Sequence, residues 1–264
     1  MEEPDVDDFH KHTFYEIIWI EEGESRQVID YKEYEITPNC LFFISPGQLH
    51  YFEEWKPIVG GSILFTADFF LLNQTNTDKL FELSFLDNFY AHACIQPGKK
   101  NYDDIKTTID LITTEHSRED SSPLICQSLL HILVLQVQRS VDSQIGQAIS
   151  KKYIVLYKRF KNLLDVHFLE NSSASDYASK LHITQHHLNQ VIKQVTGKTT
   201  TEVIRARSIL EAKRLLTFTD QPIAEIASRL NFFDSSYFAK LFKADTGLSP
   251  NDFKTTISEK YRTR

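Results

Sequence analysis

Apolar and polar positions follow two different rhythms along this chain. From about Phe9 to Phe70 the apolar residues fall in short β-branched or aromatic runs, with turn formers about every 8–12 residues. Tyr15-Glu-Ile-Ile-Trp-Ile20 is one run, and Gln27-Val-Ile-Asp30 and Glu33-Tyr-Glu-Ile36 flank a short turn as a hairpin would. Cys40-Leu-Phe-Phe-Ile44 ends at Ser45-Pro46-Gly47, and Gly61-Ser-Ile-Leu-Phe65 follows. Strands this short predict a small antiparallel barrel or jelly roll. Beyond them the period becomes helical. Tyr102 to His116 places Ile105, Ile109 and Ile112 on one face. Leu124 to Gln138 carries Leu129, Leu130, Ile132, Leu133, Val134 and Val137 behind Pro123, a residue suited to the first turn of a helix. This second helix is apolar over more of its circumference than a one-sided helix needs. It therefore either lies deep in its domain or packs against another subunit. Val141 to Ser150 loses the apolar density and reads as a linker.

From Lys151 onward every segment reads as helix. Lys151 to Glu170 is long and amphipathic, Asn171-Ser-Ser173 offers an N-cap, and Thr200 to about Leu216 forms one long helix with Arg205 and Arg207. Within this half the chain repeats itself. Asp176-Tyr-Ala-Ser-Lys-Leu-His-Ile-Thr184 runs beside Glu225-Ile-Ala-Ser-Arg-Leu-Asn-Phe-Phe-Asp234, at first 49 residues apart. One extra residue, Phe233, moves the register to 50, pairing Thr184 with Asp234, Leu188 with Phe238, Lys193 with Lys243 and Thr199 with Ser249. A short helix, a tight turn, an N-cap residue and a second amphipathic helix describe a helix-turn-helix, here present twice at about 173–194 and 222–244.

Charge sharpens this division. The overall balance is -7, but residues 1–150 hold 10 Lys/Arg against 25 Asp/Glu, and residues 151–264 hold 19 against 11. Only the basic half is suited to meet phosphate. Three scattered cysteines, Cys40, Cys94 and Cys126, lack metal-ligand spacing and suit a reducing compartment. With no basic-then-apolar leader and no apolar run of 18 residues, a cytoplasmic protein independent of membranes is expected.

From about Ser172 to Lys254 the chain resembles the AraC/XylS family of transcription regulators. Arg207, Glu211-Ala-Lys-Arg-Leu-Leu216, Ile223-Ala-Glu-Ile-Ala227, Asp234-Ser-Ser-Tyr-Phe238, Leu241-Phe-Lys243 and Thr246-Gly-Leu-Ser-Pro250 carry the likeness. Asn231 stands where the family usually has Gly, and Lys254 where Arg is usual. Asn tolerates a left-handed turn better than most residues, so the turn should survive. The resemblance implies an effector-responsive DNA-binding regulator, an activator more than a repressor, with RNA polymerase as a partner. It also implies a cupin-like sensor barrel that usually holds no metal. The expected architecture is mixed, with two domains. Residues 1–140 form a cupin-like antiparallel β-barrel with a helical dimerisation segment, 141–150 a linker, and 151–264 an all-α domain with two helix-turn-helix units. Double-stranded DNA, a small-molecule effector and a second copy of the chain are the expected partners. The two recognition helices would enter successive major grooves about 34 Å apart.

On the first recognition helix Leu188, Val191 and Ile192 face inward, leaving Gln185, His186, Asn189 and Gln190 for the groove. Asn and Gln pair with adenine, and His can donate to guanine. On the second, Tyr237, Phe238, Leu241 and Phe242 are expected in the core, with Ser235, Ser236, Ala239 and Lys240 outward. Each of these could equally touch phosphate or solvent. Lys193 and Lys243 suit phosphate, as do Lys198 and Arg205.

The acidic half holds a second pattern, His10-x-His12-x3-Glu16-x6-Gly23, followed by Gly47-Gln-Leu-His50. In cupin enzymes such spacing gathers His, His, Glu and His around one metal, and a metal-dependent enzyme carrying a DNA-binding domain is the rival reading. Without a metal, the same residues would serve strand pairing, hydrogen bonding or ligand contact. The second motif departs from the enzyme order at Asn39 and at Ser45-Pro46, so no metal, no cofactor and no catalysis are expected. His12, Phe14, Glu16, Trp19, Phe43 and His50 are the candidate effector contacts, and Trp55 a further aromatic. The aromatics among them are more often core than ligand contacts.

Overall fold

The computed structural model describes residues 10–54, 58–72, 83–86, 93–145, 150–170 and 172–261. It divides into two compact units, Met1–Ile154 and Val155–Arg264. Trp55 and the stretch 146–149 of the expected linker lie outside the described residues.

The first unit contains β1 (Tyr15–Glu22), β2 (Ser25–Ile29), β3 (Lys32–Ile36), β4 (Leu41–Ile44), β5 (His50–Glu54), β6 (Val59–Phe65) and β7 (Cys94–Ile95). All pairings are antiparallel, in one sheet ordered β6-β1-β4-β7 and a second ordered β3-β2-β5. The β2–β3 hairpin closes through Asp30 and Tyr31, both at positive φ, the conformation that matches the twist of paired strands. Alternation then assigns the faces of β1. Ile18 and Ile20 join Phe42, Ile44, Ile29 and Ile36 in the cluster between the sheets. Ile17 points the other way, with Leu41 and Phe43, into a cluster shared with two helices.

Those helices are α2 (Lys99–His116) and α3 (Pro123–Ile145), preceded by the one-turn α1 (Ala67–Phe70). Ile105, Ile109, Leu130, Leu133, Val134 and Val137 are buried together against the outer face of the first sheet. Helix α3 runs to Ile145, into the segment read as linker. By length and composition alone, its stretch Pro123–Ser143 is long and apolar enough to cross a membrane, although polar residues interrupt it. The reason is that α3 is apolar on two sides. One side is core, while Leu124, Ile125, Ile132 and Leu135 stay about half exposed or more.

The second unit is helical: α4 (Lys151–His167), α5 (Ala174–Lys180), α6 (Gln185–Thr196), α7 (Thr200–Phe218), α8 (Ile223–Arg229), α9 (Ser235–Thr246) and α10 (Pro250–Tyr261). Helix α7 packs against α5, α6, α8, α9 and α10 and so forms the spine of the unit. Arg207 anchors it to α4. Only 9% exposed, this side chain donates to Asp165 at 2.7 Å and Glu211 at 3.1 Å, and lies 3.8 Å from the centre of the Phe168 ring.

Candidate functional site

The two helix-turn-helix units obey the register read from the sequence. Helices α5 and α8 are offset by 49 residues, and α6 and α9 by 50. The extra residue, Phe233, projects fully into solvent, so the insertion leaves the packing of Phe238 and Phe242 undisturbed. Each turn needs a left-handed residue, supplied by His182 (φ 56°) and Asn231 (φ 61°). Asn231 also donates from its side chain to the Leu169 carbonyl at 3.3 Å, a bond glycine could not make. Lys254 donates to the Gln221 carbonyl.

The recognition helices start and stop by local chemistry. The Thr184 hydroxyl accepts from the His187 amide, and the Asp234 carboxylate from the Ser236 and Tyr237 amides. Gly197 and Gly247 end the helices in left-handed conformations. Leu188, Val191 and Ile192 are buried on α6, and Phe238 and Phe242 on α9.

On the outer side of α6 stand Gln185, His186, Gln190 and Lys193, all exposed, with Gln194 completing a stripe that the sequence reading left out. On α9 Ser235, Ser236, Lys240 and Lys243 are exposed and Ala239 is half-buried. Two assignments change. Tyr237, expected in the core, is 53% exposed. Asn189, expected to face the groove, is turned inward, where its carbonyl accepts from the Thr200 amide at 3.0 Å and the Thr200 hydroxyl at 3.3 Å. It thus satisfies a donor at the start of α7 that would otherwise be orphaned. The second unit has no such need. There the matching pair is Ala239 and Pro250, and proline has no amide hydrogen.

In the sheet unit, Glu16 of β1 and His50 of β5 approach from different sheets, and His12 completes the group from the segment before β1. One Glu16 oxygen lies 3.2 Å from His12 Nε2 and 3.4 Å from His50 Nε2. The far ring nitrogens are occupied as well: His12 Nδ1 faces the Phe14 carbonyl at 2.8 Å, and His50 Nδ1 the Gln48 carbonyl at 3.3 Å. Phe14 stacks on His12 with ring centres 4.0 Å apart. Burial raises the Glu16 carboxyl, but the hydrogen bonds and positive charge of the two histidines outweigh it and hold the group at about 2. These three side chains are the group among the described residues that could hold a metal ion.

Trp19 and Phe43 do not join them. Both face the opposite side of the sheet, where Phe43 is fully buried and Trp19 covers Gly61 so closely that a Cβ there would strike its ring. The sequence reading missed Gln27. This β2 side chain is 0% exposed, and neither its amide nitrogen nor its oxygen has a partner among the described residues. A glutamine within a β-branched strand run was the available signal.

A family model described as an AraC-like ligand binding domain matches residues 3–87, and one described as a helix-turn-helix domain matches residues 177–256. The HTH-type transcriptional activator RhaR of Cronobacter sakazakii is 26% identical over 245 residues, covering 91% of this chain and 84% of its own. RhaS of Yersinia pestis, also an HTH-type transcriptional activator, is 23% identical over 258 residues, covering 94% and 89%. Among solved structures, fatty-acid-bound ToxT from Vibrio cholerae is similar over 94% of this chain and 89% of its own, at 15% identity and a TM-score of 0.44.

Proposed function

The chain belongs to the AraC family of transcription regulators, and from that premise we propose that it activates transcription in the cytoplasm when an effector binds between its two sheets. One observation carries the DNA side of this reading: two recognition helices in one unit, each capped at both ends, each with a polar outer stripe. In this reading His186 and Gln190 on α6, and Ser236 and Lys240 on α9, meet base edges in successive major grooves. Gln185, Ser235 and Ala239 lie beside them, and Lys193 and Lys243 hold phosphate. Asn189 is withdrawn from the base-reading set because Thr200 occupies it.

The effector side rests on Gln27 and the His12–Glu16–His50 group. A buried amide with no partner among the described residues offers one donor face and one acceptor face to a small polar molecule. A second copy of the chain docks on the exposed apolar stripe of α3 at Leu124, Ile125, Ile132 and Leu135, and the activated dimer contacts RNA polymerase.

The test is binding selection on genomic fragments, followed by anisotropy at two salt concentrations with the selected site and with random DNA. A selected site bound roughly 1000-fold or more above random DNA supports the regulator reading. Equal affinity for both would replace it with a structural DNA binder lacking sequence preference.

A further inference from the structure

We propose that His12, Glu16 and His50 hold a divalent first-row transition-metal ion between the two sheets. The sequence pointed away from a metal because the turn before His50 departs from the metal-enzyme pattern. The structure shows why that departure does not reach the ligands. Asn39 adopts φ 64° and supplies the left-handed turn itself. The Ser45-Pro46-Gly47 turn is closed by the Gln48 side chain, which accepts from the Ser45 amide at 2.7 Å. The Gly47 amide then donates to the His12 carbonyl at 2.8 Å, fastening the His12 segment to the turn that leads into β5.

Distance decides between an ordinary polar cluster and a ligand set. Donors about 2.1 Å from a metal lie roughly 3.0 Å apart in octahedral and 3.4 Å apart in tetrahedral geometry. The Nε2-to-oxygen separations are 3.2 and 3.4 Å, and the three donor atoms all lie within 4.8 Å of one another. Orientation agrees with distance. Each Nδ1 is directed at a backbone carbonyl, which leaves each Nε2 directed at the shared point, the arrangement that metal-binding imidazoles need. Phe14 on His12 and His10 against His50, with ring centres 4.2 Å apart, hold the ring planes. Two imidazoles and one carboxylate suit a divalent ion of intermediate softness and leave coordination positions open. With ligands from both sheets, the ion would staple β1 to β5. The inference does not need the effector reading above, since metal content is read directly.

The experiment uses the full chain without a histidine tag, stripped with chelator and then given Zn(II) or Co(II) in equilibrium dialysis. One equivalent bound per chain is expected, with visible Co(II) absorption. Glu16→Gln and His50→Gln should weaken binding about 100-fold or more, while the exposed His116→Ala leaves it unchanged. Circular dichroism checks that the variants fold. Should they not fold, proton NMR of the Co(II)-loaded native chain counts the imidazole N–H signals shifted by the ion. Two such signals are expected, or three if His10 also binds. A native chain that takes up no metal overturns the proposal, as do full affinity in folded Glu16→Gln and a loaded chain with no shifted imidazole signal.

Discussion

Asn189→Ala tests whether a polar residue on the first recognition helix serves DNA or the fold. Thr200 is 1% exposed, and its amide and hydroxyl both donate to the Asn189 carbonyl oxygen. Removing that acceptor strands a buried amide, at about 1–3 kcal/mol. Alanine's better helix propensity offsets roughly 0.5 kcal/mol. The net loss should be about 1–2 kcal/mol, a roughly 5- to 30-fold shift toward unfolded chain. The second repeat shows the remedy. Its corresponding pair is Ala239 and Pro250, so Asn189→Ala combined with Thr200→Pro removes acceptor and donor together. Proline suits the first helical position, and Thr199 before it is already extended, with ψ 158°. The double variant should recover at least about 1 kcal/mol relative to the sum of the single changes. Urea unfolding of residues 150–264 followed by circular dichroism measures this, with the full chain as control. Additive effects, or an Asn189→Ala variant of native stability with altered base preference, would refute the reasoning and return Asn189 to the groove.

Three further outcomes follow from the geometry. His186→Ala and Gln190→Ala should each cost roughly 1–3 kcal/mol at the selected site and relax preference there, whereas Lys193→Ala should weaken cognate and random DNA alike; anisotropy with single-base operator variants distinguishes the two patterns. Arg207→Ala, which removes the ties to Asp165 and Glu211 and the contact with Phe168, should destabilise the helical unit by about 2–3 kcal/mol, visible as a lower urea midpoint. The hydrogen bond from Ser173 keeps the Asp176 carboxyl below its usual range, and that from the Thr199 amide does the same for Glu202. Lowered carboxylates stabilise above their unfolded pKa and lose that contribution as pH falls through the folded one. The helical unit should therefore weaken on acidification, and Asp176→Asn with Glu202→Gln, which remove the titrating carboxyls, should flatten the profile of melting temperature against pH.

The helical half was largely legible because its signals are local. Thr184 and Asp234 cap, Gly197 and Gly247 terminate, and the 49-to-50 register shift at Phe233 needs no knowledge of distant residues. The period of buried positions likewise placed Leu188, Val191 and Ile192 inside. Tertiary structure decided what periodicity cannot. Asn189 looks outward on a helical wheel, but α7 arrives beside it and takes its carbonyl. Tyr237 looks apolar enough for the core, yet it is left 53% exposed. In the sheet half the limit is sharper, since strand pairing joins residues far apart in sequence. Trp19 and Glu16 are three residues apart and therefore face opposite sides of β1, which separated Trp19 from the acid. Gln27 became conspicuous only when its buried amide met no partner among the described residues. The meeting of Glu16 with His50 depends on two sheets closing over one another, because a carboxylate and an imidazole drawn from different sheets have no local rule to bring them together.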